Sequence, residues 1–197
     1  PAPALARAAR LSYLSRMTFA SLSLVSIRRA GADEASLLSS LAASTFSDTF
    51  ARDNTAADMA AYCAQTFGES LQREELLDPR TTVLLAARGG TFVGYAMLRE
   101  HTPPECVAEA DVVEIARLYA VQGAIGTGVG AALMRTCLHE AMLRDRTAVW
   151  LGVWERNARA IAFYERWGFR DVGAQQFQLG TDRQTDRVMV RPVTGED

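Results

Sequence analysis

Polar and apolar residues alternate over Ser21–Arg29, with Leu22, Leu24 and Ile27 as the apolar positions, and predict a first strand. From Asp33 the spacing changes. Ala35, Leu38, Leu41 and Ala42 fall on one face of a helix, which Asp53–Thr55 interrupts. Ala56–Phe67 follows as a second helix with Met59, Ala60 and Cys63 inward, and Ser70–Leu77 as a third, stopped by Asp78-Pro79. Thr82–Ala87 and Phe92–Arg99 read as strands joined by the hairpin signal Arg88-Gly89-Gly90-Thr91. His101–Glu109, with two prolines and several acids, reads as a loop, and Asp111–Ala120 as the next strand. A glycine-rich segment then opens a helix running to about Arg144. Thr147–Trp154 is a strand, and Ala158–Trp167 a helix capped by Asn157 and closed by Gly168. Three short strands, Phe169–Val172, Gln175–Gly180 and Arg187–Arg191, finish the pattern, with Gln184-Thr185-Asp186 read as a turn. The sum is a mixed α/β chain: one sheet with helices on both faces.

The chain has 197 residues, 49% of them hydrophobic and 22% charged, enough to bury the core of a single globular domain. No internal repeat or linker divides it, so residues 21–193 form one domain after an N-terminal tail, residues 1–20, in which Met17 offers a natural start. The formal net charge of −2 argues against a general nucleic-acid binder. No apolar run reaches the roughly 20 residues of a membrane span, and residues 1–16 make a poor secretory signal. Cys63, Cys106 and Cys137 are odd in number and widely spaced, so reduced thiols and a cytoplasmic location are expected. His101 and His139 cannot make a metal site alone, and no metal is expected.

The chemistry concentrates at Gly126-Thr127-Gly128-Val129-Gly130-Ala131, between a strand and a helix. Glycines let the chain turn and let a ligand reach main-chain N–H groups, and a helix start has free donors and the positive dipole end. This pattern binds phosphate or diphosphate. Gly126, Gly128 and Ala131 satisfy the dinucleotide fingerprint GxGxxG/A, but Val121–Ile125 separate the loop from the strand, and the loop comes mid-chain after an antiparallel hairpin. There is no Gly-Lys-Ser/Thr of a Walker loop.

The run Glu114–Met134 resembles the phosphate loop of the GCN5-related N-acetyltransferases (GNAT), Q/R-x-x-G-x-G/A, with Gly128 and Gly130 at the small positions and Ile125 where Gln or Arg is usual. Asn157–Phe169 resembles the family's N-x-x-A-x-x-F-Y-x-x-x-G-F segment. Trp150–Glu155, Gln178–Gly180, Gln184–Asp186 and Thr45–Phe50 look like the bacterial spermidine/spermine N-acetyltransferase branch. The resemblance implies a mostly antiparallel mixed sheet of about seven strands, splayed between the fourth and fifth, and acetyl-coenzyme A as cofactor. The diphosphate would rest on the N–H groups of Ile125, Gly126, Thr127, Gly128, Val129, Gly130 and Ala131, and the pantetheine along Leu118, Tyr119 and Ala120. The Ala120 N–H would then hold the oxyanion. Tyr164 is the expected general acid and Glu114 the expected base, on a strand face shared with Ala116 and Leu118. Asn157 is expected to cap its helix and to touch the cofactor.

The implied partner is a small-molecule primary amine. For a polyamine, Asp48, Phe50 and Tyr62, with Glu105 and Glu109, would supply an acidic, partly aromatic site. A homodimer is compatible with the pattern. A non-catalytic acyl-coenzyme A sensor, and an enzyme acting on protein N-termini, amino acids or an antibiotic, both stay open.

Overall fold

The computed structural model describes residues 24–194. The expected tail and the first residues of the first predicted strand lie outside them. Among the described residues seven strands form one sheet: β1 (Ser26–Arg29), β2 (Thr81–Arg88), β3 (Thr91–Arg99), β4 (Val112–Ala120), β5 (Ala148–Trp154), β6 (Arg170–Leu179) and β7 (Asp182–Pro192). Their order is β1-β2-β3-β4-β5-β7-β6, antiparallel throughout except for the parallel pair β4–β5. Five helices complete the fold: α1 (Ala35–Phe50), α2 (Ala56–Thr66), α3 (Glu69–Leu77), α4 (Val129–Leu143) and α5 (Ala158–Arg166).

The helices cover both faces, as the apolar spacing implies. Leu133, Met134, Cys137, Leu138 and Ala141 of α4 and Ile161 of α5 pack on Val113, Ile115, Val149, Leu151 and Val153. Leu38, Leu41, Ala42 and Phe46 of α1 pack on Val83, Leu85, Tyr95 and Met97 of the other face. Each fully buried leucine contributes roughly 1.5–3 kcal/mol, so these two layers dominate the stability. The β2–β3 turn has Gly89 at φ +57° and Gly90 at φ +82°, the double left-handed conformation that two-residue hairpins favour.

The structure corrects the C-terminal reading. The three short strands are two long ones, β6 and β7, joined at Gly180-Thr181, and Gln184-Thr185-Asp186 lies inside β7 rather than in a turn. Polar residues at 182–187 imitate a loop in sequence. In the fold they alternate: the odd positions face solvent, and Gln184 and Asp186 continue the face of Val188 and Val190.

A second correction concerns β4. Met97 pairs with Arg117 but Leu98 pairs with Ile115, so Ala116 is an extra residue, a bulge. The bulge inverts the inside–outside alternation. Val113 and Ile115 precede it and Leu118 and Ala120 follow it on the α4–α5 face, whereas Ala116 and Tyr119 join the core under α1. Glu114 therefore does not share a face with Leu118. Strict period two fails at one inserted residue.

Gly94 of β3 sits against this strand: a Cβ there would lie 2.6 Å from the Tyr119 carbonyl oxygen and 3.2 Å from the Ala120 Cα. Gly94→Ala must push β3 off β4, an overpacking that costs about 1–3 kcal/mol. At about 2–4 °C per kcal/mol for a domain of this size, thermal denaturation should register a clear fall in Tm.

Candidate functional site

β4 and β5 are paired only over three residues, Val112–Glu114 with Ala148–Trp150. Beyond the bulge they diverge, β4 to Ala120 and β5 to Trp154, with β5 held along its whole length by β7. The Val121 N–H donates to the Val93 carbonyl at 3.0 Å. Because successive residues of a strand point their N–H and C=O groups to opposite edges, those of Ala120 and Leu118 face the opening towards β5. That leaves a strand edge with unpaired donors and acceptors inside the molecule.

At the end of this edge the chain turns through Gln122–Ala124 into the glycine loop. Gly126 (φ +78°) and Gly128 (φ +93°) are left-handed, and a Cβ at either would meet nothing within 4 Å. Conformation, not crowding by the protein, requires glycine here. Gly128 is the N-cap of α4, whose first amides lack helical partners. Two amides of the expected cradle are already committed: Ile125 N–H donates to the Gln122 carbonyl and Thr127 N–H to the Ala124 carbonyl, each at 3.3 Å. Thr127 Oγ1 donates to the same Ala124 oxygen at 2.7 Å, and Arg88 Nη2 donates to the Thr127 carbonyl at 2.8 Å. These bonds shape the loop so that the amides of Gly126, Gly128, Val129, Gly130 and Ala131 stay available. The fit to a diphosphate is good: several unspent donors, a helix dipole and no side chain in the way.

One cleft of about 610 Å³ joins the loop to the strand edge. Leu118, Tyr119, Ala120, Ile125, Gly126, Gly128, Gly130, Ala131, Asn157 and Tyr164, all expected from sequence, line it. Asn157 caps α5, its Oδ1 accepting from Ala160 N at 3.1 Å. Tyr164 is 8% exposed, and its ring packs edge-on to Phe163 and Phe169. Burial pushes its phenol, and that of Tyr119, well above the ordinary value, so both stay protonated. Behind Tyr164 the Cys137 thiol is fully buried and pushed up to about 12 by burial.

On the opposite wall Phe50 and Tyr62 line the cleft, as expected, but Asp48 is exposed on α1 and lines nothing. Glu105 and Glu109 are also outside; Glu109 accepts from Arg170 Nη2 at 2.5 Å. Glu114 lines a neighbouring recess with Glu74, Glu75 and Arg99, and its Oε2 lies 2.8 Å from His101 Nε2. Tyr62, Ala116, Arg117 and Phe177 line both spaces. Arg117 is held by Glu75 at 2.8 and 3.0 Å.

Sequence reasoning missed Asp186, whose half-buried carboxyl lines the same cleft and is pushed up to about 6 by burial. It also missed Gly152, where a Cβ would lie 3.2 Å from Asp186 Oδ2 and 2.7 Å from Gln175 Nε2. The alternation Gln184, Asp186, Val188, Val190 was the available signal.

The comparisons agree with this geometry. Residues 44–169 match the model of the acetyltransferase (GNAT) family. The chain belongs to that family. An uncharacterized N-acetyltransferase of Lactobacillus delbrueckii is 31% identical over 142 residues, 72% of this chain and 82% of the relative. An uncharacterized N-acetyltransferase of Mycobacterium tuberculosis is 42% identical over 118 residues, 60% of this chain and 71% of the relative. Among solved structures, the PaiA N-acetyltransferase of Thermoplasma acidophilum in complex with coenzyme A superposes with a TM-score of 0.71 at 16% identity, over 86% of this chain and 99% of that one. The ribosomal-protein-alanine N-acetyltransferase of Brucella melitensis gives a TM-score of 0.66 at 24% identity, over 85% and 99%. The GNAT chain described here is thus an acyltransferase of the fold expected from its sequence.

Hydrogen bonds latch Asp58 and Asn54 to the β6–β7 hairpin. Asp58 of α2 accepts from the Thr181 amide at 2.6 Å and from its hydroxyl at 2.9 Å, and Asn54 Oδ1 accepts from Gln184 Nε2 at 2.7 Å. The Thr181 amide, then the Thr55 and Thr181 hydroxyls, hold the Asp58 carboxyl below its usual value. A depressed carboxyl stabilises the fold above its unfolded pKa and loses that contribution as pH falls through the folded value. Asp58→Ala should therefore lower Tm at pH 7, and the gap to wild type should close in acid below pH 3.8.

Proposed function

We propose that this GNAT enzyme transfers an acetyl group from acetyl-coenzyme A to the primary amine of a small molecule. The observation that carries the reading is the continuous path from unspent loop amides to the unpaired edge of β4. A diphosphate fits the first and an amide-bearing extended chain the second, as an added strand fits a sheet edge. When bound, the cofactor supplies an activated acyl thioester.

The residues divide the work by position. The amides of Gly126, Gly128, Val129, Gly130 and Ala131 hold the diphosphate, with Asn157 beside them. Leu118 and Ala120 bind the extended arm through their backbones, and the Ala120 N–H donates to the oxygen on which negative charge develops. Tyr164 Oη keeps its proton across the physiological range and gives it to the departing sulfur. Glu114, the base expected from sequence, sits one recess away with its Oε2 2.8 Å from His101 Nε2, and it is not part of the cleft lining. Recognition at the loop rests on main chain alone, since Ile125 brings no polar group.

A polyamine is the acceptor that the branch resemblance would bring. It needs two or three carboxylates along its length, whereas the cleft lining holds one, Asp186. That favours an amine with fewer charges.

The test is the release of free thiol from acetyl-coenzyme A against a panel of amines. Turnover on at least one small amine is expected; tight cofactor binding with no turnover on any amine would make the chain a sensor instead. Tyr164→Phe should lower kcat about 10²-fold, the lower end of general-acid effects, with coenzyme A affinity by calorimetry unchanged. Gly128→Val, which forces a branched residue to φ +93°, should do the reverse and weaken coenzyme A binding first.

A further inference from the structure

Asp186 has no ion-pair or hydrogen-bond partner for its carboxyl among the described residues, although it is half-buried on the cleft wall. An uncompensated carboxylate in such a place is costly, and a cation arriving from outside would offset that cost. The local packing holds Asp186 in place: Gly152 on β5 lets the Asp186 and Gln175 side chains lie close against the strand, where a Cβ would meet Gln175 Nε2 at 2.7 Å and Asp186 Oδ2 at 3.2 Å, and the Asn54–Gln184 bond fixes β7 two residues earlier.

The surroundings are aromatic. Phe46 lies 4.6 Å from both Phe50 and Tyr62 between ring centroids, Phe50 is 5.9 Å from Trp154, and Tyr62 is 5.5 Å from Phe177. All five line the cleft, and Trp154 is the cross-strand partner of Asp186. The remaining charges on the lining are cations: Arg117, which Glu75 holds, and Arg159 and Arg166 of α5. Within the cleft a second or third ammonium would face rings or guanidinium groups, and in the adjoining recess Glu75 is taken by Arg99 and Arg117 and Glu114 by His101.

We propose that Asp186 receives the ammonium group of the acceptor and takes its proton, and that the acceptor is a primary amine with a single charge on a flat apolar body, an arylalkylamine in chemical class. This rests on the acetyl-transfer reading above. In the step assigned to Asp186, one N–H bond of the ammonium breaks and an O–H bond forms at the carboxylate. The nitrogen keeps the electron pair that attacks the acetyl carbonyl, and the carboxyl later returns its proton to solvent. The aromatic walls hold the acceptor's body by stacking and by cation–π contact next to the charge.

Asp186 also sets the pH response of the cleft. The other titratable or charged groups that line it are Tyr62 from α2, Arg117 and Tyr119 from β4, and Arg159, Tyr164 and Arg166 from α5. Burial raises the three phenols, which stay neutral, and guanidinium groups are cations throughout. Asp186, at about 6, is left to change charge between pH 5 and 7. Because its folded value lies above its unfolded one, ionising it costs stability as pH rises from about 4 to neutrality. Asp186→Asn therefore folds, and should raise Tm by about 2–4 °C at pH 7.5 with no gain at pH 4.

The experiment compares wild type, Asp186→Asn and Glu114→Gln with 2-phenylethylamine and spermidine. Coenzyme A binding by calorimetry should be equal in all three. Wild type should prefer 2-phenylethylamine over spermidine at least about tenfold in kcat/KM, with kcat/KM falling below pH 6. Asp186→Asn should lose about 10²-fold and the acid limb with it, while Glu114→Gln keeps both. Chemical-shift mapping with 2-phenylethylamine alone should perturb the Asp186 carboxyl and Trp154 indole in wild type, and this binding should weaken in Asp186→Asn. Full activity and an intact acid limb in Asp186→Asn, their loss in Glu114→Gln, or a preference for spermidine would each overturn the proposal. Absence of coenzyme A binding in wild type would instead sink the acetyl-transfer reading, and the amine titration would still report on Asp186.

Discussion

The structure depends on backbone hydrogen bonds that one strand does not make. A buried N–H or C=O without a partner costs free energy comparable to a lost hydrogen bond, so a sheet ordinarily closes on itself. Here β4 pairs with β5 for three residues and then leaves it. The bulge at Ala116 is the local cause: an added residue bends and twists its strand. β3 follows β4 to its end, holding it through Gly94 paired with Ala120, and β7 holds β5 to Trp154. Neither strand can swing back. The unpaired edge is therefore fixed in place by its neighbours, and it is where the proposed function seats an extended chain bearing amides.

The same logic extends past the strand end. The loop spends two of its amides, Ile125 and Thr127, on its own turn, and so holds the remaining donors in place before any ligand arrives. Preorganised donors cost no reorganisation when charge appears. The two left-handed glycines permit that geometry, and Arg88 ties it to the β2–β3 hairpin. The substitution of Ile125 for the usual polar residue is then tolerable, because the grip belongs to the main chain and not to that side chain.

How much of this was legible in the sequence follows from the kind of signal each part leaves. The strand–glycine–helix segment around Gly128 and the Asn157–Gly168 helix with its caps are local, and local chemistry writes them into consecutive residues. The first five strands and the five helices were readable from apolar spacing, with the boundaries of β4, α4 and β5 displaced by only a residue or two, whereas the last two strands were read as three. The bulge was not readable: Val113, Glu114, Ile115, Ala116 and Arg117 alternate well enough to look like an uninterrupted strand, and only the register against Leu98 and Met97 exposes the extra residue. Glu114 was misplaced on its face for that reason. Asp186 was hidden by its company, because Asp182-Arg183-Gln184-Thr185-Asp186-Arg187 has the composition of a turn. What makes it a strand is pairing with β5 and β6, neighbours that lie about 30 and 10 residues earlier in the chain.

The two walls of the cleft solve opposite electrostatic problems with the same means, burial. Around Tyr164, burial keeps a phenol protonated and so able to donate; around Asp186, burial makes a carboxylate reluctant to stay charged and so ready to accept a proton. Groups whose environments hold them in different protonation states on either side of a reaction space are the arrangement that acid–base chemistry requires. Tyr164 comes from α5 and Asp186 from β7, and both line the cleft that opens where β4 and β5 part. A sheet that closed fully would separate them by a layer of paired backbone. In the proposed reaction, the gap in hydrogen bonding that would receive the extended chain is thus also the window that opens the space between the two side chains.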